Sequence, residues 1–463
     1  MIYSRYSPNS LFNGENFISL TFYLVGFLIF VGCIGTYYYK YYKNNELNKL
    51  KKIDFGFILL FIYFFLAIIS ARGAVRVIMM LVPPASILIG YLAVSVYMNS
   101  KKFIEKRKNV FVLIIIGLIL IATIFSGYSL YNVTYNTAKN YIPSSYTQQW
   151  QEAMEWVREN TAKDAVFGHW WDYGYWLQSI GNRATVLDGG NAISYWNHLM
   201  GRYALTGTNN TEALEFLYSH NTTHFLIDST DIGKYGAFSS IGSDVNYDRR
   251  SWIPTMMRDD SRTVERKNIT QFVYSGGTVL DKDIIYKGNG TEVFLPSGLA
   301  GLGAILVKSD KFTGKLLQPS GVYVYQNKQY TLPMRYAYFN NSFIDFGSGV
   351  ESGMFFMPRI IQSNKGIQVE KNGALFYLSE KVVKSQLARL YLYGEEDRFK
   401  LVHTEDDFII KSLKSQGLKI GDFAYYRGFR GPIKIWKIDY PRNIKFEKKF
   451  LNTTYPSEGL VYG

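Results

Sequence analysis

The chain has two textures. Residues 17–39, 54–70, 74–98 and 110–128 are nearly continuous apolar runs without a polar stripe, the pattern of helices that are apolar all round. Crossing a bilayer takes about 20 such residues, in a range of roughly 17–25, so the pattern predicts four spans, the second the shortest. Beyond them the periodicity shortens. Residues 145–160 place Trp150, Ala153, Met154 and Val157 on one face of a helix. Strands are predicted at 165–167, 184–187 and 223–227, with helices at 175–180 and 210–219 between them. This alternation is α/β in character, and in such folds binding residues gather beyond the strand ends. From about residue 293 the pattern turns to alternating strands, at 304–307, 322–326, 374–378, 423–426 and 433–438.

The expected architecture is therefore a polytopic membrane protein. An external segment at 1–16 precedes a four-helix region at 17–127, a mixed α/β core at 128–292 and a β-rich C-terminal module at 293–463. Charge sets the orientation. The link after the first run carries Lys40, Lys43, Lys49, Lys51 and Lys52, and the link after the third carries Lys101, Lys102, Lys106, Arg107 and Lys108. Short basic loops stay in the cytoplasm, which puts everything after residue 127 outside, as a large extracytoplasmic domain in a multi-pass protein of the cell membrane. Much of the net charge of +14 is explained by this topology, which makes the lipid bilayer a partner; no basic-aromatic stripe suggests nucleic acid. The one cysteine, Cys33, lies in the first run, so the outer domain is expected to fold without disulfides. Asn-x-Ser/Thr sites at Asn132, Asn209, Asn221, Asn268, Asn289, Asn340 and Asn452 fit an external surface.

Three groups of residues carry candidate chemistry. The first is Trp170-Trp171-Asp172-Tyr173-Gly174, at the end of a predicted strand. A carboxylate among indoles either caps the helix that follows or forms a polar socket for one hydroxyl group, accepting its proton while an indole N–H donates to its oxygen. Asp231 and Lys234, three apart in DIGKYGAF, read alone as a surface ion pair. Arg76 stands at the outer end of the third run, where an arginine either faces polar company or snorkels to the headgroups, as Arg72 does in this reading. His169 and His198 are isolated, and no His/Cys/carboxylate cluster has metal-ligand spacing.

Trp170 to Gly174 match the WWDYG signature of the oligosaccharyltransferase catalytic subunit family, and the chain resembles the C-terminal part of its archaeal members. The resemblance extends to the apolar runs, to LDGGN at 187–191 and to LARLYLYG at 387–394. It implies a glycosyltransferase of protein N-glycosylation, moving an oligosaccharide from a dolichol phosphate carrier to the Asn of Asn-x-Ser/Thr in acceptor polypeptides. On that resemblance, Trp170, Trp171, Asp172, Tyr173 and Gly174 bind the Ser or Thr of the acceptor. Asp231 and Lys234 form the family's second motif beside them; its last position is Phe238 here rather than Ile or Met, so the methyl contact is unassigned. Arg76 is expected to hold the pyrophosphate of the lipid-linked oligosaccharide. Family members also need Mn or Mg, held by acids in earlier external loops that this sequence does not include. The fragment alone is therefore expected to be inactive, requiring a further N-terminal half, in the same chain or separately encoded. The alternative is a non-catalytic sequon-binding or membrane-anchored surface module.

Overall fold

The computed structural model of the protein describes residues 16–45, 54–73, 78–105, 110–140, 146–288, 291–363 and 366–456. It divides into two compact units, Met1–Ile142 and Pro143–Gly463.

The first unit holds the helices Phe17–Lys43, Phe55–Gly73, Ile78–Glu105 and Val110–Asn140. Asn16 caps the first by accepting the Ser19 N–H at 2.8 Å, and Lys40 and Lys43 stand at the opposite, electronegative end. Phe27 stacks on Phe65 and Phe30 on Phe61. Phe17–Lys43 is long and apolar enough to cross a membrane, whereas the apolar stretches Phe55–Ser70 and Met79–Leu92 are shorter. Among the described residues one helix thus meets the requirements of a span, where the hydrophobic pattern predicts four. Arg76 lies outside the described residues.

The second unit is built on a mixed five-stranded sheet in the order Phe399–Glu405, Ile433–Ile438, His224–Ile227, Val166–Gly168, Ala184–Thr185. The last three run parallel; Ile433–Ile438 adds antiparallel to their edge at His224–Ile227, and Phe399–Glu405 pairs antiparallel with Ile433–Ile438 in turn. The helix Gln148–Asn160 starts at Thr147, whose side chain accepts the Trp150 N–H, and it buries Trp150, Ala153, Met154 and Val157. Its C-terminal end is tied down by the buried Arg183. That guanidinium donates to the carbonyls of Arg158 and Thr161 at 2.8 and 2.7 Å and to the Thr161 hydroxyl at 2.8 Å, satisfying acceptors that a helix end leaves unpaired.

A larger sheet runs from Thr255 to Leu378, with two short strands, Ala424–Tyr425 and Phe429–Arg430, added at one side. The strand Lys328–Phe339 pairs with Ser320–Tyr325 and also with Val350–Ser363, so the sheet closes on itself and removes most free edges. The hairpin Val350–Ser363 and Gly366–Leu378 is shared between two cores. Met354, Phe356, Leu375 and Tyr377 point into the barrel, while Phe355, Met357, Ala374, Phe376 and Leu378 pack on the α/β core, the period-two alternation of a strand buried on both faces.

This arrangement differs from the boundary expected near residue 293. Strand structure begins at Thr255, and Phe399–Glu405 and Ile433–Ile438 belong to the core sheet. Arg258, Asp259, Asp260 and Arg262 interrupt the apolar alternation of the first barrel strand. A buried run such as Ile433–Ile438 reads the same whichever sheet receives it.

Candidate active site

The strand Val166–Gly168 ends in the motif. Trp171–Tyr173 form one 3-10 turn, and a short helix, Gly174–Ser179, follows directly. Gly174 is required by close approach: a Cβ there would lie 2.5 Å from the Cα of Asp188. The two tryptophans have different surroundings. Trp170 is buried, its ring centroid 5.5 Å from that of Phe238, whereas Trp171 is half-buried. Phe238 is itself fully buried against Trp170 and Tyr235, so at the position where Ile or Met was expected a ring supports the indole from within the core.

The next strand of the sheet, His224–Ile227, runs into a polar turn and then the helix Asp231–Ile241. Asp228 accepts the Thr230 N–H at 2.7 Å and its hydroxyl at 2.5 Å, and Asp231 accepts the Asp228 N–H at 3.0 Å. Two acids at a helix start are favoured by the exposed N–H groups there. They bring Lys234, one turn on, over the motif.

Lys234 Nζ lies 2.8 Å from Asp172 Oδ2 and donates to the Tyr173 hydroxyl at 3.0 Å. That hydroxyl in turn donates to Asp231 Oδ1 at 2.7 Å. Tyr173 is buried, stacked on Trp150 with ring centroids 4.8 Å apart. A chain of contacts therefore runs from the buried Asp231 through a fixed phenol to an ion pair at the surface. The side chains of Asp172 and Lys234 are 27% and 30% exposed, so the pair is open to a partner. His169, fully buried, holds its Nδ1 2.6 Å from the Trp170 carbonyl, and burial lowers its pKa to about 4.

The structure thus brings Trp171, Asp172, Tyr173, Asp231 and Lys234 together, with Trp170 and Gly174 as the packed base. Sequence reasoning missed Asp228 and Thr230; the spacing of Asp228 three before Asp231, at a strand end, was the available signal. The Tyr173 hydroxyl is the junction of the network.

Burial, with the nearby Asp228 carboxylate adding to it, raises the Asp231 pKa to about 7, against the pull of Lys234 and Tyr173. Burial likewise pushes the Tyr173 phenol well up, so it stays a donor. An unfolded Asp titrates near 4, so the fold favours the neutral acid, and that contribution is full below pH ~4 and lost as pH rises to about 7. The unfolding free energy of the wild type minus that of Asp231→Asn, measured in urea from pH 4 to 8, is expected to fall across that window and then level off. A pH-independent difference would show that Asp231 titrates as an exposed acid.

Among the described residues no group of three or more His, Cys, Asp or Glu side chains is placed to hold a metal ion.

No protein-family model matches the chain. It is 36% identical over 98 residues to dolichyl-phosphooligosaccharide-protein glycotransferase 1 of Pyrococcus horikoshii, covering 21% of this chain and 10% of that protein. To the dolichyl-phosphooligosaccharide-protein glycotransferase of Methanococcus voltae it is 26% identical over 234 residues, 47% of this chain and 24% of the other. The chain thus spans a quarter or less of the length of these curated relatives. Among solved structures, the apo oligosaccharyltransferase of Archaeoglobus fulgidus aligns over 89% of this chain and 46% of its own, at 14% identity and a TM-score of 0.42. By sequence, the chain is thus similar over part of its length to archaeal proteins named dolichyl-phosphooligosaccharide-protein glycotransferase.

Proposed function

We propose that this chain supplies acceptor recognition in protein N-glycosylation, the transfer of an oligosaccharide from a dolichol phosphate carrier to Asn in Asn-x-Ser/Thr. The single observation that supports this reading is the open Asp172–Lys234 pair, held from beneath by the buried Tyr173 and Asp231. An alcohol both donates and accepts. Placed at the pair, its proton goes to the Asp172 carboxylate and its oxygen receives an N–H from Lys234, with the half-buried Trp171 alongside. Because Tyr173 and Asp231 occupy one side of Lys234, the ammonium is preset toward the opening rather than free to sweep through solvent.

The donor side of the reading rests on residues elsewhere. Arg76 binds the pyrophosphate of the lipid-linked oligosaccharide, the runs at 17–39, 54–70, 74–98 and 110–128 anchor the chain in the bilayer, and the second unit lies outside the membrane.

The test is a pair of peptides differing only in Asn-x-Thr against Asn-x-Ala, titrated into the full chain by fluorescence anisotropy. The threonine peptide is expected to bind about 10–100-fold more tightly, the value of a hydroxyl bonded to a charged pair that its absence strands. Equal affinities would sink the reading.

A further inference from the structure

A cavity of about 470 Å³ lies between the barrel and the α/β core, and the acceptor reading makes no use of it. Its wall includes Leu392, Tyr393 and Gly394, the end of the LARLYLYG stretch, and its chemistry comes from Lys434, Asp422, Lys371, Asn340, Asn341 and Asn372. Lys434 is the unusual member. It sits on the core strand Ile433–Ile438, only 6% exposed, donating to the Tyr391 carbonyl at 3.3 Å, with its Nζ 4.8 Å from the Phe423 ring centroid. A buried ammonium is costly unless it is well supplied with acceptors, and this one has a carbonyl, a ring face and the cavity. Asp422 is half-buried and already accepts from Lys414 at 3.4 Å.

The mixture of groups selects the ligand. A simple anion meets the Asp422 carboxylate, and a cation meets two lysines. A ligand dense in hydroxyls suits all six side chains, because each hydroxyl donates to Asp422 or an amide oxygen and accepts from lysine or an amide nitrogen. The rings around the cavity are already stacked on one another, Tyr338 between Phe355 and Tyr393, so recognition here is by hydrogen bonds rather than by a free aromatic face. A volume of this size is in the range of small-molecule sites. We propose that this cavity binds a short saccharide through Lys434, Asp422 and the asparagines at its rim. The sugar has two possible sources with the same chemistry, a glycan carried on Asn340 of this chain, since Asn340-Asn341-Ser342 is itself an acceptor sequence, or a glycan belonging to another molecule. The inference is independent of the acceptor reading, which concerns a different set of side chains.

The experiment uses the full chain, made in a host without N-glycosylation and held in a detergent without a sugar headgroup, because a maltoside would compete for the site. Glucose, N-acetylglucosamine and their disaccharides are titrated by calorimetry and saturation-transfer NMR, with inorganic phosphate as the anionic probe. At least one sugar is expected to bind saturably, phosphate not to bind, and Asp422→Asn and Lys434→Met each to weaken the sugar about tenfold. Asp422→Asn alters a half-buried side chain, so its melting temperature should match the wild type and keep the result readable should Lys434→Met fold poorly. Chain made in a glycosylating host separates the sources. If the wild type from that host no longer takes free sugar but Ser342→Ala does, a change that removes the acceptor sequence without altering a lining side chain, the occupant is the chain's own glycan; if both bind equally, the glycan comes from elsewhere. Either result supports a saccharide site. Absence of saturable sugar binding in the unglycosylated chain, or phosphate binding that Asp422→Asn strengthens, would overturn it.

Discussion

Asp172→Ala is expected to erase the preference for an Asn-x-Thr peptide over Asn-x-Ala while leaving the second unit folded. Asp172 makes one ion pair, at 2.8 Å, and both partners are more than a quarter exposed, so the pair contributes roughly 0–1 kcal/mol to stability. Lys234 keeps its bond to the Tyr173 hydroxyl, and the melting temperature should scarcely move. The binding effect is much larger, because in the proposed reading the carboxylate accepts the peptide's hydroxyl proton. Its loss removes one charge-assisted hydrogen bond, about 10–100-fold in affinity for the threonine peptide, and none for the alanine peptide. The two affinities should converge. A role confined to packing predicts the reverse, a lowered melting temperature with the threonine preference retained, and that outcome would end the case for Asp172 as the hydroxyl reader.

Gly174→Ala tests the support instead of the contact. The added methyl would meet the Cα of Asp188 at 2.5 Å and come closer still to the Leu187 carbonyl oxygen. Both are backbone atoms that no side-chain rotation can move aside. Accommodating the methyl means shifting the motif away from the LDGG segment, at an expected cost of about 2–4 kcal/mol, visible as a several-degree drop in melting temperature together with weaker peptide binding. Gly233→Ala is the control. It lies on the neighbouring helix with open space around its Cα, and should be neutral or slightly stabilising, by up to about 1 kcal/mol. Equal behaviour of the two variants would show that the close approach at Gly174 relaxes freely.

Much of the second unit was legible because the signals were local. The 3.6-residue spacing of Trp150, Ala153, Met154 and Val157 marks the buried face of a helix that the structure contains, and the Asp231-to-Lys234 spacing marks one turn. The junction at Tyr173 was not legible. Its partner Asp231 is 58 residues away in sequence, and a tyrosine after an aspartate gives no sign of where its hydroxyl ends. The barrel was read only in part, since Arg258, Asp259, Asp260 and Arg262 break the alternation of its first strand. Nor does an apolar strand announce its neighbours. Ile433–Ile438 pairs with His224–Ile227 across a long stretch of intervening chain.

That last pairing has a consequence for biosynthesis. The strand that leads into Asp228 and Asp231 keeps an open hydrogen-bonding edge until Ile433–Ile438 arrives to fill it. A nascent chain halted on the ribosome after the barrel has emerged would thus carry every side chain of the proposed acceptor pocket but lack the strand that braces it. Competence of that pocket is expected to arrive with Ile433–Ile438 rather than to be gained progressively as the polypeptide emerges.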